Sequence, residues 1–122
     1  MFKFLIAEDH AAVRKRIKQM IQEELGDVEI TEAKDTFELL QQVPLQPWDI
    51  IISDITMPGA GGLEALEHIH RQHPGIPVII VSVNEETLYA DKAIQLGAVA
   101  YILKDKLNEK LLNAIRQNLP PA

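Results

Sequence analysis

The chain has 122 residues, with 12 Lys plus Arg set against 18 Asp plus Glu for a net charge of −6. That length suits one domain, and 47% apolar with 25% charged residues is the make-up of an ordinary globular protein. The lack of cysteine excludes a disulfide scaffold, a zinc ribbon and a catalytic thiol, and the acidic balance argues against nucleic-acid binding by these residues, since that affinity rests on Lys and Arg.

No apolar stretch approaches the roughly 20 residues of a membrane helix. The apolar start, Met1 to Ala7, meets Glu8 and Asp9 at once, so it does not read as a signal peptide. A cytoplasmic protein without membrane contact is expected.

Phe4-Leu5-Ile6-Ala7 is a continuous apolar run, the first strand candidate. Val13, Ile17, Met20 and Ile21 then recur at helical spacing, with Gly26 just beyond as a stop. Val28 to Ala33 reads as a short strand whose polar residues suggest a sheet edge. Asp35 with Glu38 three residues on is a capping pattern opening a helix that carries Phe37, Leu40 and Val43, and Pro44 ends it. Ile50-Ile51-Ile52 is β-branched and unbroken, as in a strand covered on both faces. Gly59 to Gly62 reads as a flexible loop, and Leu63, Leu66 and Ile69 mark a third helix without a good N-cap. Val78 to Val81 is a second fully buried strand. The next helix spans about Glu85 to Gln95 with Asn84 as N-cap, and Gly97 breaks it. Ala98 to Leu103 is the last strand. Leu107, Leu111, Leu112 and Ile115 give the final helix, before Pro120-Pro121.

Five strand signals alternate with five helix signals, which implies a parallel sheet with helices on both faces and right-handed crossovers. Such a sheet binds ligands at the carboxyl ends of its strands, near a topological switch point. Glu8 and Asp9 follow strand one, Asp54 ends strand three, Ser82 ends strand four and Lys104 follows strand five. Each has a bland explanation alone, but their coincidence at one sheet edge does not.

Three converging carboxylates repel one another, so either some of their pKa values rise or a cation sits among them. A hard divalent ion such as Mg²⁺ suits oxygen ligands and lets the pocket accept a phosphoryl group. An Asp carboxylate can attack phosphorus to form an acyl phosphate, while Lys104 and Ser82 contact phosphoryl oxygens.

Leu5-Ile6-Ala7-Glu8-Asp9, Asp54-Ile55-Thr56-Met57-Pro58-Gly59, Ile80-Val81-Ser82 and Gly97-Ala98 through Tyr101 to Lys104 together resemble the receiver domain of bacterial two-component response regulators. The resemblance covers essentially the whole chain and implies a flavodoxin-like (βα)5 three-layer sandwich with strand order 2-1-3-4-5. It implies Asp54 as phosphoacceptor, Asp9 as direct Mg²⁺ ligand, Glu8 as companion acid and the Thr56 carbonyl as a further ligand. It casts Ser82 as the switch hydroxyl, Lys104 as the phosphate-binding lysine and Tyr101 as the aromatic that turns inward on activation. Tyr101 reads equally as a core strand aromatic.

Met57-Pro58-Gly59, Gly62-Leu63-Glu64-Ala65-Leu66 and Lys104-Asp105 resemble the NarL/FixJ branch, in which a LuxR-type helix-turn-helix domain normally follows. The receiver unit is expected over residues 1–119, with 120–122 opening a linker. A histidine kinase or phosphotransfer protein is the implied phosphodonor, activation implies a homodimer, and DNA is reached only through an output domain beyond these residues. The main alternative is a stand-alone receiver that signals by phosphorylation-independent protein binding.

The sequence departs from the family at three places. Glu8 replaces the commoner Asp, Ala60-Gly61 stands where many relatives have an apolar residue and then Asp, Asn or Ser, and Val83 follows Ser82 where a small residue is preferred, which narrows donor access or restricts Ser82. A haloacid-dehalogenase-type phosphatase is disfavoured because position 56 is Thr rather than a second Asp, and a flavin site because Glu8-Asp9-His10 replaces a glycine- and hydroxyl-rich phosphate loop. His10, His68, His70 and His73 are expected on solvated surface, with the pocket rim as the alternative for His10 beside the acid pair, Arg14-Lys15-Arg16 as a solvated basic face and Trp48 in packing.

Overall fold

The computed structural model describes residues 1–55 and 61–120. Strands β1 (Phe2–Ala7), β2 (Val28–Ala33), β3 (Ile50–Asp54), β4 (Val78–Ser82) and β5 (Ala100–Leu103) form one parallel sheet of order β2-β1-β3-β4-β5. Helices α1 (Ala11–Leu25), α2 (Thr36–Gln42), α3 (Gly62–Gln72), α4 (Thr87–Gln95) and α5 (Leu107–Asn118) connect and cover them. Short 3-10 turns follow α2 at Val43–Leu45 and β5 at Lys104–Lys106.

Alternate strand residues feed two cores, because successive side chains leave a strand on opposite faces. Phe4, Ile6, Ile50, Ile52, Ile79 and Val81 meet Ile17, Ile21, Leu107, Leu111 and Ile115 from α1 and α5. Leu5, Ile51 and Ile80 meet Leu39, Leu66, Ile69 and Ala93 from α2, α3 and α4. Ile50, Ile51 and Ile52 are fully buried, each contributing roughly 1.5–3 kcal/mol by leaving water. This two-sided burial is why β3 and β4 are unbroken apolar runs while edge strand β2 keeps exposed polar residues.

The capping pattern at α2 forms as expected. Asp35 Oδ1 accepts from the Glu38 amide at 2.8 Å, and Glu38 Oε1 accepts from the Lys34 amide at 2.8 Å. The buried face differs from expectation: Leu39 is buried with Val43, whereas Phe37 is two-thirds exposed. A seven-residue helix has too few turns for periodicity to fix its inward side. Asn84 does not cap α4. The helix starts at Thr87 after Glu86, and Asn84 Oδ1 accepts from the Glu86 amide at 2.9 Å in a turn just upstream. An Asn that bonds a backbone amide two residues on looks the same in sequence as an N-cap. Trp48 is buried, its indole N–H donating to the Gln42 carbonyl at 3.1 Å.

Two glycines have packing reasons. Gly62 is not loop slack but the buried first residue of α3, where a Cβ would overlap the Ile55 carbonyl. This close approach sets α3 directly against the exit of β3. Gly97 holds φ +115° after α4, a conformation L side chains avoid, and its α-carbon lies against the His70 ring. As expected, α3 begins without a side-chain cap. Ala60 and Gly59 lie outside the described residues. No helix among the described residues is long and apolar enough to cross a membrane.

Candidate functional site

The sheet register places the site. Ala7 pairs with Ser53, Asp54 with Val81 and Ser82 with Leu103, so the residues ending or following β1, β3, β4 and β5 reach one edge at a common level. Glu8, Asp54 and Ser82 are each fully buried there. Lys104 sits at the start of the turn after β5 and enters between the acids. Its Nζ lies 2.9 Å from Asp54 Oδ2 and 3.0 Å from Glu8 Oε1. Asp9 completes the acidic group with a side chain about a quarter exposed.

Charge on these groups is interdependent. Burial pushes the Glu8 carboxyl above its ordinary 4.5. The hydrogen bond from Lys104 opposes that shift, and the charge of Asp54 adds to it. For Lys104, burial pulls downward, but its hydrogen bonds to Asp54 and Glu8 outweigh it and hold the ammonium above 10.5. The lysine is therefore a firm cation held between acids.

A divalent cation fits these residues. Donor atoms of Glu8, Asp9, His10 and Asp54 lie within 4.8 Å of one another. Among the described residues, Oε2 of the fully buried Glu8 has no hydrogen-bond partner, a costly state for a carboxylate oxygen unless a cation meets it. Oxygen-rich donor sets of this kind suit Mg²⁺. Thr56, expected to add a carbonyl ligand, lies outside the described residues, as do Met57 and Pro58.

Ser82 and Tyr101 do not touch in sequence logic, yet the structure joins both to Asn84. Ser82 Oγ accepts from the Asn84 amide at 3.0 Å, and the Tyr101 hydroxyl donates to the Asn84 carbonyl at 2.9 Å. Tyr101 is half-buried and packs on the core shared with α4. Its ring is thus a core aromatic and its hydroxyl a tie to the β4–α4 loop. Val83 turns outward, 70% exposed, and borders a cavity of about 210 Å³ with Glu85, Leu103, Lys104 and Asp105.

Arg14 escaped sequence reasoning, and His10 stands at the pocket rim rather than on open surface. The cationic run on α1 does not act as one face, because consecutive helical residues diverge by about 100°. Arg14 turns inward, its Nη1 donating to the Glu8 carbonyl at 2.8 Å and its Nε to Glu32 at 2.9 Å. Arg16 instead pairs with Asn108 of α5. His10 is exposed, but not idle: Nδ1 lies 2.9 Å from Glu8 Oε1 and 3.2 Å from Asp9 Oδ1, and its amide also donates to Glu8 Oε1.

A buried acidic group clasped by one lysine at the carboxyl edge of a 2-1-3-4-5 parallel sheet defines the class of CheY-like α/β domains. Within that class the chain belongs to the response regulator receiver domain family, whose model matches residues 4–116. It is 36% identical over 120 residues to the response regulator GacA of Pseudomonas aeruginosa, covering 96% of this chain and 55% of GacA. It is 29% identical over 116 residues to UvrY of Escherichia coli, covering 95% of this chain and 53% of that protein. The chain thus spans about half the length of these relatives. Among solved structures, a DNA-binding response regulator of the LuxR family from Staphylococcus aureus superposes with a TM-score of 0.86 at 32% identity, covering 96% of this chain and 98% of that one. TrrA of Thermotoga maritima, solved with Mg²⁺-BeF, gives 0.86 at 26% identity, covering 98% and 100%. These relatives place the chain in the NarL/FixJ branch.

Proposed function

We propose that Asp54 is the phosphoacceptor of this receiver, taking its phosphoryl group from the phosphohistidine of a sensor kinase or phosphotransfer protein. The observation that carries the reading is the Lys104 ammonium bound at once to Asp54 and Glu8. It marks Asp54 as the carboxylate where anionic charge is to be met by a fixed cation. As the bond from an Asp54 oxygen to phosphorus forms, the P–N bond of the donor breaks and its imidazole leaves with the electron pair. Lys104 then has a phosphoryl oxygen to neutralise in place of the carboxylate.

Glu8, Asp9 and Asp54 would hold Mg²⁺, with the Thr56 carbonyl as the further ligand the family resemblance implies. When bound, the ion would offset charge between the acids and the incoming phosphoryl oxygens. TrrA binds Mg²⁺ with a phosphoryl mimic on the same fold, which supports this assignment. Ser82 donates its hydroxyl proton to a phosphoryl oxygen, and because its Oγ also holds the Asn84 amide, that movement draws on the loop tied to Tyr101. The phosphoryl group favours whichever loop position it contacts better. Catalysis is confined to the domain's own phosphorylation and slow dephosphorylation.

The proposed receiver unit is residues 1–119, acting in the cytoplasm, dimerising on activation and controlling transcription through a following helix-turn-helix domain. GacA and UvrY are response regulators about twice this length, and the Staphylococcus aureus relative is a DNA-binding response regulator of the LuxR family, which together support that output.

Incubation with Mg²⁺ and acetyl phosphate, read by intact mass, tests the core of the proposal. Wild type gains one phosphoryl group and Asp54→Asn gains none. Equal behaviour of the two would overturn it and favour a phosphorylation-independent binding module. Ser82→Ala is expected to accept phosphate but lose phosphorylation-dependent dimerisation in sedimentation.

A further inference from the structure

We infer that the groove between α3 and α4 is where a second copy of this chain docks, the two α4 helices lying antiparallel across a two-fold axis at Tyr89. The inference gives the dimer proposed above its surface, and it stands on the geometry of α4 rather than on Asp54.

The groove combines apolar walls with one acid and one base. Leu63 of α3 and Leu88 and Tyr89 of α4 line a cavity of about 430 Å³, which Glu86 and Lys92 complete. Leu88 and Tyr89 are exposed although large, and Leu63 is half-buried. An aromatic and an aliphatic side chain bordered by charge are the make-up of an interface centre with its rim.

Charge complementarity selects the occupant. Glu86 and Lys92 stand three residues either side of Tyr89. They are therefore displaced about 4.5 Å in opposite directions along the helix. A two-fold axis at Tyr89 turns the helix end for end and exchanges these positions. Glu86 of each copy then meets Lys92 of the other, while Leu88 of each enters the other's groove. A surface that complements itself under rotation is what a closed dimer requires. Among the described residues neither Glu86 nor Lys92 has an ion-pair partner within the chain. Nor does the Glu86 side chain cap α4. Both charges are available to pair between copies, where they fix orientation more than affinity.

The same segment leads back to the phosphoryl pocket. Ser82 Oγ accepts from the Asn84 amide at 3.0 Å, and Asn84 Oδ1 accepts from the Glu86 amide at 2.9 Å. A shift of Ser82 therefore moves the acid that Lys92 of the second copy must meet, so dimer strength responds to phosphorylation.

Sedimentation over a concentration series, with and without Mg²⁺ and acetyl phosphate, tests this, and intact mass reads phosphorylation separately. Wild type is expected to form a reversible dimer that phosphorylation tightens. Leu88→Asp, Glu86→Lys and Lys92→Glu should each weaken it by at least about tenfold. The equimolar mixture of Glu86→Lys with Lys92→Glu should associate at least about tenfold more tightly than either variant alone, because only the mixed pair sets opposite charges across the axis. All three changes fall on exposed side chains, so circular dichroism should show the fold unchanged. A wild type that stays monomeric in both states overturns the inference and leaves the groove to a different protein. Dimerisation of Leu88→Asp at wild-type strength, or a mixture no tighter than its components, overturns it as well. If no phosphoryl group is gained while the dimer and its charge-exchange pattern persist, the phosphoacceptor reading fails and this surface stands.

Discussion

The two faces of the sheet are built to different standards. On one side α1 and α5 lie against the strands and against each other. Ile17, Ile21, Leu111 and Ile115 are fully buried, and the Arg16–Asn108 and Arg116–Glu24 pairs cross between the helices. On the other side α4 buries only Ala93 and leaves Leu88, Ile94 and Tyr89 in solvent. What holds α4 down is concentrated at its ends, in the Asn84 turn before it and Gly97 after it. The lesson is a division of labour. The α1/α5 layer is a fixed platform, and α4 is an element whose position a few polar contacts decide. The pocket lies at the edge between them.

The largest test of that contrast compares leucines from the two faces. Leu111→Ala on α5 is expected to cost about 3 kcal/mol in urea unfolding, because it empties a fully buried site. Leu88→Ala on α4, 73% exposed, should change stability by less than about 0.5 kcal/mol. Similar costs would erase the distinction.

Next in size is Gly97→Ala, expected to cost about 2 kcal/mol from its positive φ and from overlap with His70. A loss localised to α4 by hydrogen exchange, with α1 and α5 protection unchanged, would sharpen the view that α4 hangs from its ends. Tyr101→Phe removes one hydroxyl bond to Asn84 and should cost about 1 kcal/mol. Faster exchange in the β4–α4 loop is the accompanying sign.

The smallest effect concerns the pocket itself. In metal-free protein the Glu8 carboxyl is raised above 4.5, so the folded state holds that proton more tightly than the unfolded chain. The associated stability is complete below pH 4.5 and is lost as pH rises through the folded value. Glu8→Gln has no such loss and should gain on wild type as pH rises above 4.5. A flat difference across that range, read by thermal unfolding, would contradict the shift. Lys104 has the same sign at the far end: its contribution holds below pH 10.5 and fades above.

Much of this was legible in sequence for physical reasons. Ile50-Ile51-Ile52 and Val78 to Val81 announce two-sided burial by being unbroken and β-branched, and strand ends then locate Glu8, Asp54, Ser82 and Lys104 together. Asp35 caps the Glu38 amide and Glu38 reaches back to the Lys34 amide within five residues, so no tertiary information is needed. What was hidden depends on direction. Which of Arg14, Lys15 and Arg16 faces the sheet edge is a matter of helix rotation, and whether the His10 ring turns to acid or to water is a rotamer. Leu39 and Phe37 trade places because α2 is too short to declare an inward side. Asn84 matters through its backbone amide and carbonyl, which no residue identity reveals.

The two ion pairs of Lys104 also bear on how the molecule is made. They connect residues 96 and 50 positions apart, from the last strand back to the first and third. Closing contacts of such long separation costs more loop entropy than closing local ones. A growing polypeptide that has emerged only through β4 carries all its pocket acids without their lysine. Closure of the acid pocket around its lysine is thereby deferred until the C-terminal strand docks.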